Sequence, residues 1–158
     1  MIIGFLSLGL FVPQVEYQSS VIIDDSIAEV FQSYNDIESI SNWIPEIKSV
    51  KALKLTEEKE GSVYEMVIDS DGTEVKMEET VLAYEVNKLV SLKFETGPMD
   101  KIDEFQFLEE GNKTKIVAKH RVEGTNYFYK CMFAMFKGGL STVDQGYLEK
   151  FKEYQEQK

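Results

Sequence analysis

Residues 103–120 read DEFQFLEEGNKTKIVAKH, two runs of alternating apolar and polar residues on either side of Gly111-Asn112. Alternation with a period of two predicts strands that bury one face, and a glycine-containing pair between them favours a tight hairpin turn. A two-residue turn at this point fixes which residues face each other across the hairpin. The predicted pairs on its inner face are Phe107 with Ile116, Phe105 with Ala118, and Asp103 with His120.

The same reasoning predicts two further hairpins in the preceding sequence. Asp71-Gly72 suits a two-residue turn because glycine tolerates a positive φ, and Asn87-Lys88 marks another turn. The first turn pairs Tyr64 with Glu79, Met66 with Met77 and Ile68 with Val75, and the second pairs Val81 with Phe94 and Ala83 with Leu92. The first register also sets Glu65 opposite Glu78, so we expect a bulge near Glu78-Glu79 to relieve this like-charge contact.

Helical signals flank this series of strands. A strand predicted at Val15–Asp24 precedes a helix that begins with the capping box Ser26–Glu29, and a second short helix is predicted around Asp36–Asn42. One long amphipathic helix is predicted for residues 126–155, with Gly138-Gly139 interrupting it. Its apolar stripe consists of Phe128, Met132, Met135, Phe136, Leu140, Val143, Tyr147, Phe151 and Tyr154.

This order of elements resembles the helix-grip fold of the SRPBCC, or START-like, superfamily, including its birch-pollen-allergen-like proteins and its polyketide cyclase/dehydrase and lipid-transport group. The resemblance covers residues 15–157 and rests on VIIDDSIAEVF at 21–31, WIP at 43–45, GSVY at 61–64, MEET at 77–80, YEVNK at 84–88 and the terminal helix. Many members carry two tryptophans near the end of the second helix, whereas this chain has one. The resemblance implies an α+β fold in which a curved, seven-stranded antiparallel sheet wraps around the long helix, with two short helices between the first two strands.

Such a fold implies a cavity between sheet and helix that binds a hydrophobic or amphipathic small molecule, lipid-like or polyketide-like. The residues themselves agree, because methionine and phenylalanine side chains line adaptable apolar sites well. The residues predicted to contact the ligand are Tyr64, Met66, Met77, Val81, Leu92, Phe94, Phe105, Phe107, Ala118, His120, Met132, Met135 and Phe136. An alternative stays open, in which the inner face packs on the helix as a solid core.

Two polar pairs fall on the otherwise apolar inner face. Asp103 would orient the His120 imidazole, and the pair would serve as a general base or a ligand anchor; the alternative is a buried salt bridge or a solvated pair at the sheet edge. Tyr64 and Glu79 form the second pair, in which the phenol donates to the carboxylate or to a ligand. These four residues are the candidate acid–base groups of an enzyme.

Composition and charge exclude several classes of function. The chain has 158 residues and a formal net charge of −11, with 28 acidic residues against 17 lysines and arginines. Such a charge argues against nucleic acid as a partner, because phosphates are bound by clustered lysine and arginine. With one histidine and one cysteine, Cys131, we expect no metal site, and no phosphate-binding loop indicates a cofactor. Cys131 is predicted to be a small core residue.

The N-terminal residues 1–14 are set apart from the single START-like domain predicted for 15–158. Met1–Val12 reads MIIGFLSLGLFV and is followed by Pro13. Twelve helical residues rise only about 18 Å, too short to span a membrane alone. The segment is interpreted as an extra buried strand, a disordered tail, or the end of a membrane anchor, since Leu10-Phe-Val-Pro13 resembles the anchor junction of some bacterial members. The localisation prediction is accordingly cytoplasmic or membrane-associated.

Three functions compete at this stage. The first is a non-enzymatic carrier or sensor of a hydrophobic small molecule, which is favoured. The second is a cyclase- or dehydratase-type enzyme that uses the inward acid–base groups. The third is an interaction domain like a chaperone cofactor, which should have a filled core and an exposed apolar patch of several hundred Å².

Overall fold

The computed structural model describes residues 14–158. Seven strands form one antiparallel sheet with the order β1-β7-β6-β5-β4-β3-β2. Their bounds are β1 Val15–Ile23, β2 Ile47–Lys54, β3 Val63–Ser70, β4 Thr73–Glu85, β5 Leu89–Glu95, β6 Met99–Glu110 and β7 Lys113–Gly124. With the helices that follow, this confirms the predicted α+β helix-grip fold. Of the N-terminal segment predicted for residues 1–14, residues 1–13 lie outside the described residues.

Three α-helices and one short 3-10 helix accompany the sheet. Helix α1, Ile27–Tyr34, begins at the predicted capping box, where the Glu29 backbone N–H donates to Ser26 Oγ and the Ser26 hydroxyl donates to the Glu29 carboxylate at 2.6 Å. The second short helix is confirmed only as a 3-10 turn, Ile40–Asn42. No helix among residues 14–158 is long and apolar enough to cross a membrane.

The C-terminal helix is not one helix, as predicted, but two. Helix α2 is Tyr127–Met135 and helix α3 is Lys137–Glu156, with the break at Phe136 and not at the two glycines. The physical reason is packing, since α2 lies against β7 whereas α3 lies against β1. Helix α2 comes so close to β7 that a Cβ atom on Gly124 would lie 2.4 Å from the Lys130 backbone nitrogen.

The predicted hairpin registers are right for two hairpins and wrong for one. The turns at Asp71-Gly72 and Gly111-Asn112 give the predicted pairs, including Asp103 with His120. In the β4–β5 hairpin, Val81 instead pairs with Leu92, Glu79 with Phe94, and Ala83 with Ser91. The connection is longer than predicted, since Glu85 pairs with Leu89 and Asn87 takes φ +59° within the loop. A bulge between Val81 and Ala83 changes the register again.

The bulge predicted near Glu78-Glu79 is absent. Glu65 and Glu78 stand opposite each other in an unbroken β3–β4 register. The like-charge contact is relieved by a cation, because the Lys76 ammonium lies 3.2 Å from the Glu65 carboxylate on the same outer face.

The main core lies at one side of the sheet, which we call the packed half: β1, β6 and β7 with the helices against them. Its fully buried side chains include Ile23, Phe107, Ile116 and Phe151. The other side, β2–β5, is called the open half, because its strands contact mainly one another and many of their inward side chains are only half-buried. Cys131 on α2 is buried, in agreement with its predicted core position.

Candidate functional site

A cavity of about 340 Å³ lies between the open half and helix α3. Strands β3, β4 and β5 supply ten of its 26 lining residues, because every second residue of a strand points to the same face. The chain between α1 and β2 closes one side with Trp43 and Ile44, and α3 adds Tyr147 and Leu148. The cavity therefore occupies the space above the open half that the helices leave empty.

The structure brings most of the predicted ligand-contact residues to this cavity. The predicted residues that line it are Tyr64, Met66, Met77, Val81, Leu92, Phe94, Phe105 and His120. Because of the β4 bulge, alternation shifts by one residue beyond Val81, so that Tyr84 and not Ala83 faces the cavity. The four candidate acid–base residues, Asp103, His120, Tyr64 and Glu79, all line the cavity as well.

Five predicted ligand-contact residues lie elsewhere, and this corrects the sequence-based assignment. Phe107 and Ala118 belong to the solid core of the packed half, with 2% and 0% exposure. Met132 packs beside Val15 on the other side of the molecule. Met135 and Phe136 are 55% and 56% exposed, because the helix break at Phe136 removes α2 from the face that α3 presents to the cavity.

A cluster of five polar residues lies at the end of the cavity next to the packed half, and we call it the buried charge cluster. It contains four residues that line the cavity, Lys101, Asp103, His120 and Asp144, and Tyr17, which bonds to Asp144. The predicted pair is present, since His120 Nδ1 lies 2.7 Å from Asp103 Oδ1. His120 and Asp103 are only 3% and 4% exposed, so the pair is not solvated at the sheet edge. The Asp103 carboxylate accepts from Nδ1 and so orients the ring.

The other imidazole nitrogen is also engaged. His120 Nε2 and Ser19 Oγ share a hydrogen bond of 2.7 Å, and the Tyr17 ring stacks on the imidazole at a centroid distance of 4.9 Å. Both partners come from β1, which pairs with β7 in a register that sets Tyr17 opposite His120. Every polar atom of the ring therefore has a partner within the described residues, and the ring is fixed in position.

Lys101 joins the two carboxylates of the cluster. Its ammonium lies 2.9 Å from Asp103 and 2.7 Å from Asp144 on α3. Burial alone lowers the pKa of Lys101, but the charges of the two carboxylates and their hydrogen bonds outweigh burial, and the pKa is raised. The Tyr17 hydroxyl donates to Asp144 at 2.5 Å, and burial together with this hydrogen bond raises the Tyr17 pKa.

Three residues of the cluster also have the donor set of a metal site. One ligand atom from each of Asp103, His120 and Asp144 lies within 4.8 Å of the others. The Lys101 ammonium, however, already bonds to both carboxylates and supplies the positive charge there. A metal ion would have to displace Lys101, so the arrangement fits an internal salt bridge better than a metal centre.

Glu79 differs from the cluster in having no partner. It is 6% exposed and lines the cavity, and burial followed by the nearby Asp103 charge raises its pKa to about 7. Tyr64 stands opposite it, as predicted. Of the two predicted alternatives for the phenol, donation to the Glu79 carboxylate does not occur, and no other residue of 14–158 donates to it.

Sequence reasoning missed Tyr17, Lys101 and Asp144, although two of the three carried a signal. Lys101 lies two residues before Asp103 on the same strand, so alternation places both on the inner face. Asp144 lies four residues before Leu148, and a spacing of four places both on one helix face. Tyr17 carries no such signal for its partner, because 127 residues separate it from Asp144.

Fold and site together define a START-like helix-grip domain with a cavity between its sheet and its C-terminal helix. The chain belongs to the family described as polyketide cyclase / dehydrase and lipid transport, whose sequence model matches residues 14–154. The comparison with curated proteins found no match to this sequence.

Solved structures show the same fold at low sequence identity. The crystal structure of Ara h 8.0201 has a TM-score of 0.75 at 12% identity, and the match covers 92% of this chain and 99% of that one. A START superfamily protein from Mycobacterium smegmatis has a TM-score of 0.74 at 16% identity, with 90% and 98% covered. The di-domain ARO/CYC StfQ from the steffimycin biosynthetic pathway has 0.74 at 10%, with 93% of this chain and 52% of that one covered.

Proposed function

We propose that this protein binds and carries a hydrophobic or amphipathic small molecule in the cavity of the open half. The observation that carries the proposal is the cavity itself, about 340 Å³ in volume and lined mainly by apolar side chains. Pockets for small molecules typically measure about 300–1,000 Å³, are mostly apolar and contain a few placed polar groups. The family's lipid-transport description supports the same function.

The lining residues suit a flexible apolar ligand. Met66 and Met77 face each other across β3 and β4, and unbranched methionine side chains adapt to irregular shapes. Leu92, Phe94 and Ile68 add rigid apolar surface around them. We propose that the apolar body of the ligand lies against these five residues, while Glu79 at the polar wall sets its orientation.

The test is to fill the cavity. Leu92→Trp adds bulk inside the wall, whereas Leu108→Trp makes the same change at an outward, 46% exposed position of β6. Binding of 1-decanol, measured by isothermal titration calorimetry, should be lost in Leu92→Trp and unchanged in Leu108→Trp. Native mass spectrometry after gentle purification should also show a copurified small molecule, lost on organic extraction.

Absence of 1-decanol binding to the unmodified protein contradicts the proposal. Equal binding by the Leu92→Trp and Leu108→Trp variants contradicts the location of the site, provided that both variants unfold with the cooperativity of the parent protein.

A further inference from the structure

The Glu79 carboxyl group is the feature of the cavity that the fold does not explain. Buried polar groups are normally paired within the protein, because a carboxylate removed from water loses its hydration. Glu79 is buried in the wall of the cavity, yet no residue of 14–158 gives it a hydrogen bond or an ion pair. The Glu79 oxygen atoms are not among the sealed, unpartnered atoms of the interior, so they open on the cavity. A carboxyl group that faces a cavity without a protein partner is available to a ligand atom.

The charged and titratable groups that share the cavity leave Glu79 without a counter-charge. Lys101, the buried cation, is bonded to Asp103 and Asp144. Lys59 lies at the rim and is exposed to solvent. The remaining groups facing the cavity are Tyr64 on β3, Tyr84 on β4, Asp103 on β6, His120 on β7, Tyr34 on α1, and Asp144 and Tyr147 on α3. The Asp103 charge adds to the negative potential at Glu79, as the raised pKa of Glu79 reflects.

We propose that Glu79 receives a protonated amine of the ligand, so that the cavity selects cationic amphiphiles over anionic ones. This inference rests on the proposed function and names its ligand class. A protonated amine donates hydrogen bonds and carries the positive charge that the site lacks, and a charge-assisted hydrogen bond is about twice as strong as a neutral one. A ligand carboxylate would meet Glu79 and Asp103 with the same sign of charge.

Three probes with the same ten-carbon chain separate charge from apolar contact: 1-decylamine, 1-decanol and decanoate. Titrations at pH 8 keep Glu79 ionised, since its pKa is about 7. Trp43, the single tryptophan, lines the cavity, so its fluorescence reports binding of each probe. The unmodified protein should bind decylamine about tenfold or more tightly than decanoate, with decanol between them.

Glu79→Gln should abolish this order of affinities. It removes the charge with little change in shape, so decylamine should bind about tenfold more weakly, decanoate more tightly, and decanol unchanged. Glu78→Gln is the matched control, because Glu78 is the next residue on the same strand, exposed on the opposite face. It should leave all three affinities at their original values.

The outcomes distinguish the two proposals. Decanol binding without discrimination between amine and carboxylate overturns the role of Glu79 and leaves the proposed function in place. Tighter binding of decanoate than of decylamine by the unmodified protein has the same consequence. Absence of binding by all three probes overturns both proposals. The comparison of the probes on the unmodified protein needs no variant, so misfolding of Glu79→Gln would not remove the test.

Discussion

The packed half and the open half of the sheet have the same alternation of apolar and polar residues, but they bury those residues differently. Phe107 on β6 is 2% exposed beneath α1, whereas Phe94 on β5 is half-buried and lines the cavity. Phe107 makes edge-on contacts with Phe31 and Tyr34 of α1. The strand pattern therefore determines which side chains point inward, and the placement of the helices determines whether they become core or cavity wall.

The buried charge cluster stands at the boundary between the two halves. Lys101 and Asp103 come from β6, Asp144 from α3, and all three line the cavity. The cluster joins helix α3 to the sheet through side chains, since Asp144 bonds to Lys101 of β6 and to Tyr17 of β1. Glu79 lies on β4, two strands away from β6 in the open half, and it lacks such partners. The cluster is therefore a structural ionic group, whereas Glu79 is a candidate ligand contact.

The strongest test of the comparison is truncation of the two phenylalanines. Phe107→Ala should lower the free energy of unfolding by about 3–5 kcal/mol, because it leaves a void in a close-packed core. Phe94→Ala should lower the free energy of unfolding by clearly less, since the Phe94 side chain already borders a cavity. Urea denaturation at constant pH measures both. Equal decreases in the free energy of unfolding for the two variants would contradict the distinction between the packed half and the open half.

Neutralising the central cation of the cluster should have the next largest effect. Lys101→Met leaves two buried carboxylates without their shared partner and should lower the free energy of unfolding by about 3 kcal/mol or more. Lys119→Met is the control, because the 50% exposed Lys119 pairs with Glu104 at the surface. Loss of this surface pair should change the free energy of unfolding little. A stability of Lys101→Met close to that of the control would mean that the cluster does not hold α3 to the sheet.

A smaller effect follows from titration of Glu79. Its pKa is raised from the ordinary 4.5 to about 7, so the folded state binds more protons than the unfolded state between these values, and Glu79 lowers stability as pH rises through this window. The stability advantage of Glu79→Gln over the parent should therefore grow from near zero at pH 4.5 to at most about 3 kcal/mol at pH 8. Glu78→Gln should show no such trend. A pH-independent difference between Glu79→Gln and the parent would place the Glu79 carboxyl in water.

The hairpins show how far the sequence determines the register. Asp71-Gly72 and Gly111-Asn112 form tight turns with positive φ at Asp71, Gly72 and Gly111, and their registers follow from the turn residues. Asn87 also takes a positive φ, but within a longer loop, and the β4 bulge compensates further along the strand. The longer loop and the bulge cannot be predicted from the alternation of apolar and polar residues, because each of them shifts the strand register by one residue.

The site was predictable where local pairing determines it. The Asp103–His120 pair followed from one turn, and most of the cavity wall followed from strand alternation. The failures at Met132, Met135 and Phe136 have one cause: an amphipathic stripe gives the buried face of a helix but not the point at which the helix breaks. Glu79 has no partner because Lys101, the buried cation, is bonded to Asp103 and Asp144. Which carboxylates Lys101 binds is decided by the tertiary structure and cannot be inferred from the sequence pattern.

The most direct test of the whole account is a crystal structure of the unmodified protein grown with 1-decylamine at pH 8. The account predicts that the alkyl chain lies in the open half against Met66, Leu92 and Phe94, with its nitrogen within hydrogen-bond distance of the Glu79 carboxylate. The packed half should be unchanged. An empty cavity, or decylamine bound only on the outer surface, would contradict the claim that the open half is the ligand site.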